Sequence, residues 1–230
     1  LERERGDFLH TQSRSTSVIG EWAKLKQDLF GLEPKVAFAR HTALINDLIN
    51  LIKHVGDNSA LIVDGNQSRH YLVDLLINRI PAVCEYLGQI RGMGAGIAAR
   101  GEFASGQRDR LTDLFSSARV LFNEMDQAVK LLYRHDARLK LLLEKSVAKS
   151  NDSRMVFFEA VRSGMLDAER VTQDPAEFFA KGSRLIDTNF EIFDQVNAIL
   201  RSELEDAADW ERAAMYRTLA GSLLAMLLVG

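Results

Sequence analysis

Five polar side chains stand where apolar ones are expected. Thr11, Ser15, Arg79, Asp136 and Asn189 fall at seam positions of a heptad-like helical pattern, and Arg91 lies beside a cluster of glycines. A charge carried into a helix interface must be paired or hydrogen-bonded, because an unpaired one is strongly penalised by desolvation. Two chemistries follow. In one, Arg79 pairs with Asp136 or with a glutamate and fixes helix register, a role buried ion pairs commonly serve. In the other, an arginine lining a gap between helices receives a small anion and holds a carboxylate with two parallel N–H donors. On this second reading Tyr71, Arg79 and Arg91 of the third helix, with Asn189 of the last, form the candidate ligand site.

The residues needed for most other chemistry are missing or misplaced. Cys84 is the sole cysteine, so no internal disulfide forms, and His10, His41, His54, His70 and His135 include no pair at i, i+3 or i+4 spacing. His41, on an apolar stripe, reads as a structural histidine with a local partner. Gly94-Ala-Gly96-Ile-Ala-Ala99 fits the permissive dinucleotide pattern, but that motif needs a preceding strand and here it falls inside a helix. Glu203 with Asp206 reads as solvated helix surface, with nothing to raise one pKa for general acid–base work. The sequence therefore points away from an enzyme and implies no metal or cofactor.

The elements that must position the polar residues are helices. Of 230 residues, 47% are hydrophobic and 27% charged, the balance of a folded chain. With 29 basic against 32 acidic side chains the net charge is −3, which supplies no broad positive field for nucleic acid. Only three prolines and 8% aromatics, among abundant Leu, Ala, Glu, Lys, Arg and Gln, favour helix in nearly every window. The fold class is all-α.

The clearest seam is Leu111, Phe115, Ala118, Phe122, Met125, Val129, Leu132, Asp136, Leu139, Leu143, with steps alternating between four and three. It predicts one long helix packed at a shallow angle. A first helix carries Phe8, Thr11, Ser15, Val18, Trp22, Leu25 and Leu29 until Gly31 and Pro34 interrupt it. A second carries Ala37, His41, Leu48 and Val55 and stops at Gly56-Asp-Asn-Ser59. Ser68 then caps a third helix, which Pro81 bends near Ile80. Gly88, Gly92, Gly94 and Gly96 give that helix a face that others can approach closely, and Gly101 and Gly106 bracket the next turn. A further break is expected near Ser150-Asn-Asp-Ser153, and Asp174-Pro175 starts the final helix. About six helices result, two of them long, and their length predicts an elongated rod of two four-helix bundles stacked end to end.

The chain opens at Leu1 without a methionine, which reads as a fragment or a processed product. At the other end, residues 219–230 carry no charge. That run falls short of the roughly 20 apolar residues a bilayer span needs, and reads as the opening of a transmembrane helix.

Within residues 54 to 105 the wording of the sequence is more specific. Asp57-Asn-Ser-Ala-Leu-Ile-Val-Asp64, Ser68-Arg-His-Tyr-Leu-Val-Asp74, Asn78-Arg-Ile-Pro81 and Leu87-Gly-Gln-Ile-Arg-Gly92 together resemble the extracytoplasmic sensor region of bacterial methyl-accepting chemotaxis receptors and related sensor kinases. Gly65 stands where that family has proline, and His70 where it has a first tyrosine. The resemblance is strongest to the helical bimodular class. It implies a periplasmic sensor domain over residues 1–218, anchored in the inner membrane and dimeric, with residues 219–230 beginning the exit span. It further implies a small-molecule ligand, with organic acids as the class-level expectation, and a helix displacement that reaches a cytoplasmic output. The alternatives are the sensor domain of a histidine kinase or diguanylate cyclase, and a partner-binding helical spacer that holds no small molecule.

Overall fold

Start and stop chemistry accounts for most of the helix boundaries. A computed structural model describes residues 9–59 and 66–229, with side chains up to residue 222. Helix α1 spans Gln12–Asp28 and gives way to a 3-10 turn at Leu29–Gly31, and Pro34 opens α2, Pro34–Asn58. Helix α3, Gln67–Asp74, is capped by Asn66, whose side chain accepts from the Arg69 N–H at 3.1 Å. The cap therefore lies two residues ahead of Ser68, the expected one. Helix α4 covers Ile80–Arg100, α5 Gln107–His135, α6 Ala137–Val161 and α7 Pro175–Val229. Asp174 caps α7 by accepting from the Glu177 N–H at 2.7 Å, with Pro175 at the first helical position as the sequence predicts.

Helices α3 and α4 form one rod joined by a π-helical turn at Leu75–Arg79, where the Ile80 N–H reaches back to the Leu75 carbonyl. This turn lies immediately ahead of Ile80, where the sequence expects a proline bend. Pro81, which has no N–H to give, lies directly after this widened turn. Counting this rod once, the described residues make six helical rods and no strand.

Two boundaries differ from expectation. The long helix over residues 111–143 is interrupted at Asp136, which takes extended backbone, φ −142° and ψ 102°. Its N–H closes α5 on the Leu132 carbonyl at 2.9 Å, and its Oδ1 accepts from the Arg138 N–H at 2.9 Å to start α6. An aspartate has little to gain in an apolar seam and much at an N-cap, so α5 and α6 fold back as a hairpin. Conversely, α6 runs unbroken through Ser150-Asn-Asp-Ser153, since Ser146 and Ser150 are buried in the bundle and that burial overrides the turn propensity.

Side-chain pairs fix the topology. Arg79 meets Glu124 and Tyr71 meets His135 across α3–α4 and α5; Arg154 meets Asp126 across α6 and α5; Lys149 meets Glu191 across α6 and α7. Successive rods are thus antiparallel, an up-down-up-down bundle of α3–α4, α5, α6 and α7. Its core is one apolar cluster in which Leu72, Ile90, Leu111, Phe122, Phe157, Phe178 and Leu185 are almost wholly buried. A Cβ on Gly94 would overlap the Phe178 ring, so the glycine is what lets α4 and α7 approach.

The α1–α2 hairpin lies beside α3–α4, with Phe38 against Gly92 and Gly56 against Ile77. In place of the two four-helix bundles stacked end to end that helix length suggests, the described residues form one four-helix bundle with a two-helix hairpin along its side. Helix α7 continues past Leu204 with Trp210, Met215, Tyr216 and Leu219 exposed. At 1.5 Å per residue this stretch is roughly 35–40 Å long. No helix among the described residues is long and apolar enough to cross a membrane. Leu1, Phe8, the stretch 60–65 of the resemblance motif, and Gly230 lie outside the described residues.

Candidate ligand-binding site

A cavity of about 360 Å³ opens where α2, the π-helical turn and α7 meet. Its walls are Leu51, Ile52, Val55 and Gly56 of α2, Val73 of α3, Leu76 and Ile77 of the turn, and Asn197 and Leu200 of α7. The turn is the local cause. Leu75, Leu76 and Ile77 are consecutive and all buried, a run that the widened backbone points toward different neighbours. Gly56 completes the wall, because a Cβ there would overlap the Ile77 side chain. Val73, Leu76, Ile77 and Leu200 are buried, whereas Ile52 and Asn197 stand exposed. Among the described residues the lining carries no titratable side chain, and the Asn197 amide is its one polar side chain.

The four residues singled out from the sequence are distributed along the bundle. Tyr71 stacks on His135 of α5 at 5.5 Å between ring centroids, with His70 edge-on to it. Arg79 donates through Nε to Asp74 Oδ2 at 2.8 Å and through Nη1 to Glu124, bracing the π-helical turn against α5. The hydrogen bond to Asp74 raises its already high pKa, so it is a fixed cation. Of the two pairings foreseen for Arg79, the one with a glutamate forms, while Asp136 pairs with Arg138 instead.

Arg91 lies farther along α4, donating to Ser183 Oγ at 2.8 Å with its guanidinium 4.4 Å from the centre of the Phe179 ring. Burial lowers its pKa, partly offset by Asp187. Asn189 is wholly buried on α7, with Nδ2 donating to the Leu185 carbonyl at 2.8 Å and Oδ1 lacking a protein partner. At 1.5 Å per residue, Tyr71 and Arg79 sit roughly 12 Å apart along the rod, and Arg79 and Arg91 roughly 18 Å. None of the four lines the cavity.

Sequence reasoning passed over the residues that do. Their signal was present in the unbroken Leu75-Leu-Ile77 triplet, which the three-and-four spacing cannot place on one helix face. It was present also in Gly56, which reads equally as turn chemistry. A second, more open cavity of about 530 Å³ adjoins the other π-helical turn, Arg162–Leu166, where Gln173 donates to the Ala160 carbonyl. His41 Nδ1 lies 2.8 Å from the Ala37 carbonyl, the local partner expected of a structural histidine. No group of three His, Cys, Asp or Glu side chains among the described residues can hold a metal ion. No protein-family model, curated protein or solved structure matches the chain. The chemistry available at the cavity between α2 and α7 is non-covalent: apolar enclosure, with one amide at the rim.

Proposed function

We propose that this chain is the ligand-sensing module of a transmembrane chemoreceptor, placed on the periplasmic side of the bacterial inner membrane and working as a homodimer. One continuity carries the reading. Asn197 and Leu200 line the cavity on α7, and the same helix runs on beyond the bundle without a break. A ligand that binds one arrangement of α2, the π-helical turn and α7 better than another shifts the population of α7 positions. A differential affinity of about 1–3 kcal/mol is enough for a useful bias.

The receptor context comes from the resemblance. Asn78-Arg-Ile-Pro81 spans the end of the π-helical turn, and Leu87-Gly-Gln-Ile-Arg-Gly92 lies on α4. Sensor domains of histidine kinases and diguanylate cyclases share the logic, and the sequence that follows α7 in the full protein distinguishes the outputs. The exposed Trp210, Met215, Tyr216 and Leu219 favour a second reading, a helical spacer whose α7 binds another protein.

Thermal shift against a metabolite panel separates the two, because a ligand selective for the native state raises apparent stability. The sensing reading expects at least one metabolite to raise the melting temperature of the wild type. It expects that shift to vanish in Leu76→Trp, which fills the cavity, and in Asn197→Trp, which covers its mouth from an exposed position. A panel without any shift, or shifts that survive both variants, supports the spacer.

A further inference from the structure

We infer that the cavity beside the first π-helical turn takes an uncharged molecule with an apolar body and one hydroxyl, carbonyl or amide group, which the Asn197 side chain meets at the mouth. The inference rests on the sensing reading and names its ligand class. It departs from the organic acids that the family resemblance implies.

Three observations carry it. The buried part of the wall, Val73, Leu76, Ile77 and Leu200, is entirely aliphatic, so the body of the ligand must be apolar. No cation among the described residues lines the cavity; Arg79 is held by Asp74 and Glu124, and Arg91, whose buried Nε has no partner, lies roughly 18 Å farther along the rod beside Ser183 and Phe179. A carboxylate drawn into this site would lose hydration without gaining a counter-charge. Finally, the exposed Asn197 amide both donates and accepts, which suits a single hydroxyl or carbonyl placed at the rim. Size sets the scale: roughly 150 Å³ of apolar cavity suffices for benzene, so about 360 Å³ admits a substituted ring or a short branched chain.

Calorimetric titration with para-ethylphenol and para-ethylbenzoate at neutral pH tests the class, since the two share a body and differ in charge. The phenol is expected to bind at least about tenfold more tightly than the benzoate, a gap equivalent to about 1.4 kcal/mol. Asn197→Leu is expected to weaken phenol binding about fivefold, the loss of one hydrogen bond. Asn197→Lys, which brings a cation to the rim, is expected to narrow the gap by strengthening the benzoate. Both variants sit at an exposed position and leave the buried wall intact.

Equal affinity for the two probes, no saturable binding of the phenol, or an unchanged phenol affinity in Asn197→Leu would overturn the inference. The two proposals fail separately. A panel metabolite that stabilises the wild type and not Leu76→Trp, found together with equal probe affinities, keeps the sensing cavity and overturns only the ligand class. Phenol binding that depends on Asn197 and leaves α7 unmoved keeps the ligand class and overturns the sensing.

Discussion

At the scale of single residues, two carboxylates respond to pH in opposite senses. Glu85 is buried on α4 and receives one hydrogen bond, from Gln89 Nε2 at 2.7 Å. Burial raises its pKa, and the Gln89 amide offsets part of that rise. The folded chain therefore holds this proton more tightly than the unfolded one, so the Glu85 contribution to stability declines as pH rises from the ordinary carboxylate range through the raised value. Glu85→Gln is expected to raise the melting temperature by a few degrees at neutral pH and to change it little in acid, in thermal melts followed by circular dichroism. Asp136 is the reverse case. The side chain of Arg138 holds its pKa down, so its contribution is present above the ordinary range and disappears as pH falls through the lowered value. Asp136→Ala is expected to cost about 1 kcal/mol in chemical denaturation through loss of the α6 cap, and Asp136→Asn far less. The Arg138 partner is largely exposed, so the ion pair itself adds little. Asp136 also shows what one residue can hide: it broke the seam in the sequence, and the capping preference behind that break competes with burial in a pair with Arg79.

At the scale of elements, the apolar stripes were legible because period and burial agree. Leu111, Phe115, Ala118, Phe122, Met125, Val129 and Leu132 on α5, and Leu139 and Leu143 on α6, are all buried as the seam predicts. The fold-back between them was not legible, since a seam keeps the same spacing whether its helix is continuous or reverses. Neither were the π-helical turns, because a one-residue widening depends on packing, and the Pro81 that marks the place is compatible with a plain kink. The glycine cluster announced close approach without saying where. The structure spends that freedom chiefly at Gly94, whose position is filled by the Phe178 ring. Gly94→Val is expected to push α4 from α7 and to lower stability by about 1–3 kcal/mol, read as a shift in the urea midpoint. Phe157→Ala, which removes the ring that packs on Phe178 at 5.2 Å between centroids, is expected to cost about 3–5 kcal/mol by leaving a cavity.

At the scale of the whole molecule, the bundle supplies rigidity and α7 supplies reach. The core cluster runs from Leu72 to Leu200 through all four rods, so the bundle resists local opening, while the cavity sits at its edge against α2. A ligand there touches α2, α3, the π-helical turn and α7, and leaves α5 and α6 untouched. Movement is therefore expected between α2 and α7 and not within the α5–α6 hairpin. Pulsed dipolar spectroscopy with spin labels at the exposed positions Lys53 on α2 and Asp206 on α7 measures that movement, with Arg119 on α5 and Lys145 on α6 as the control pair. Saturation with para-ethylphenol is predicted to redistribute the Lys53 to Asp206 distances and leave the Arg119 to Lys145 distances unchanged. An identical Lys53 to Asp206 distribution with the site saturated would contradict the claim that this helix carries the signal.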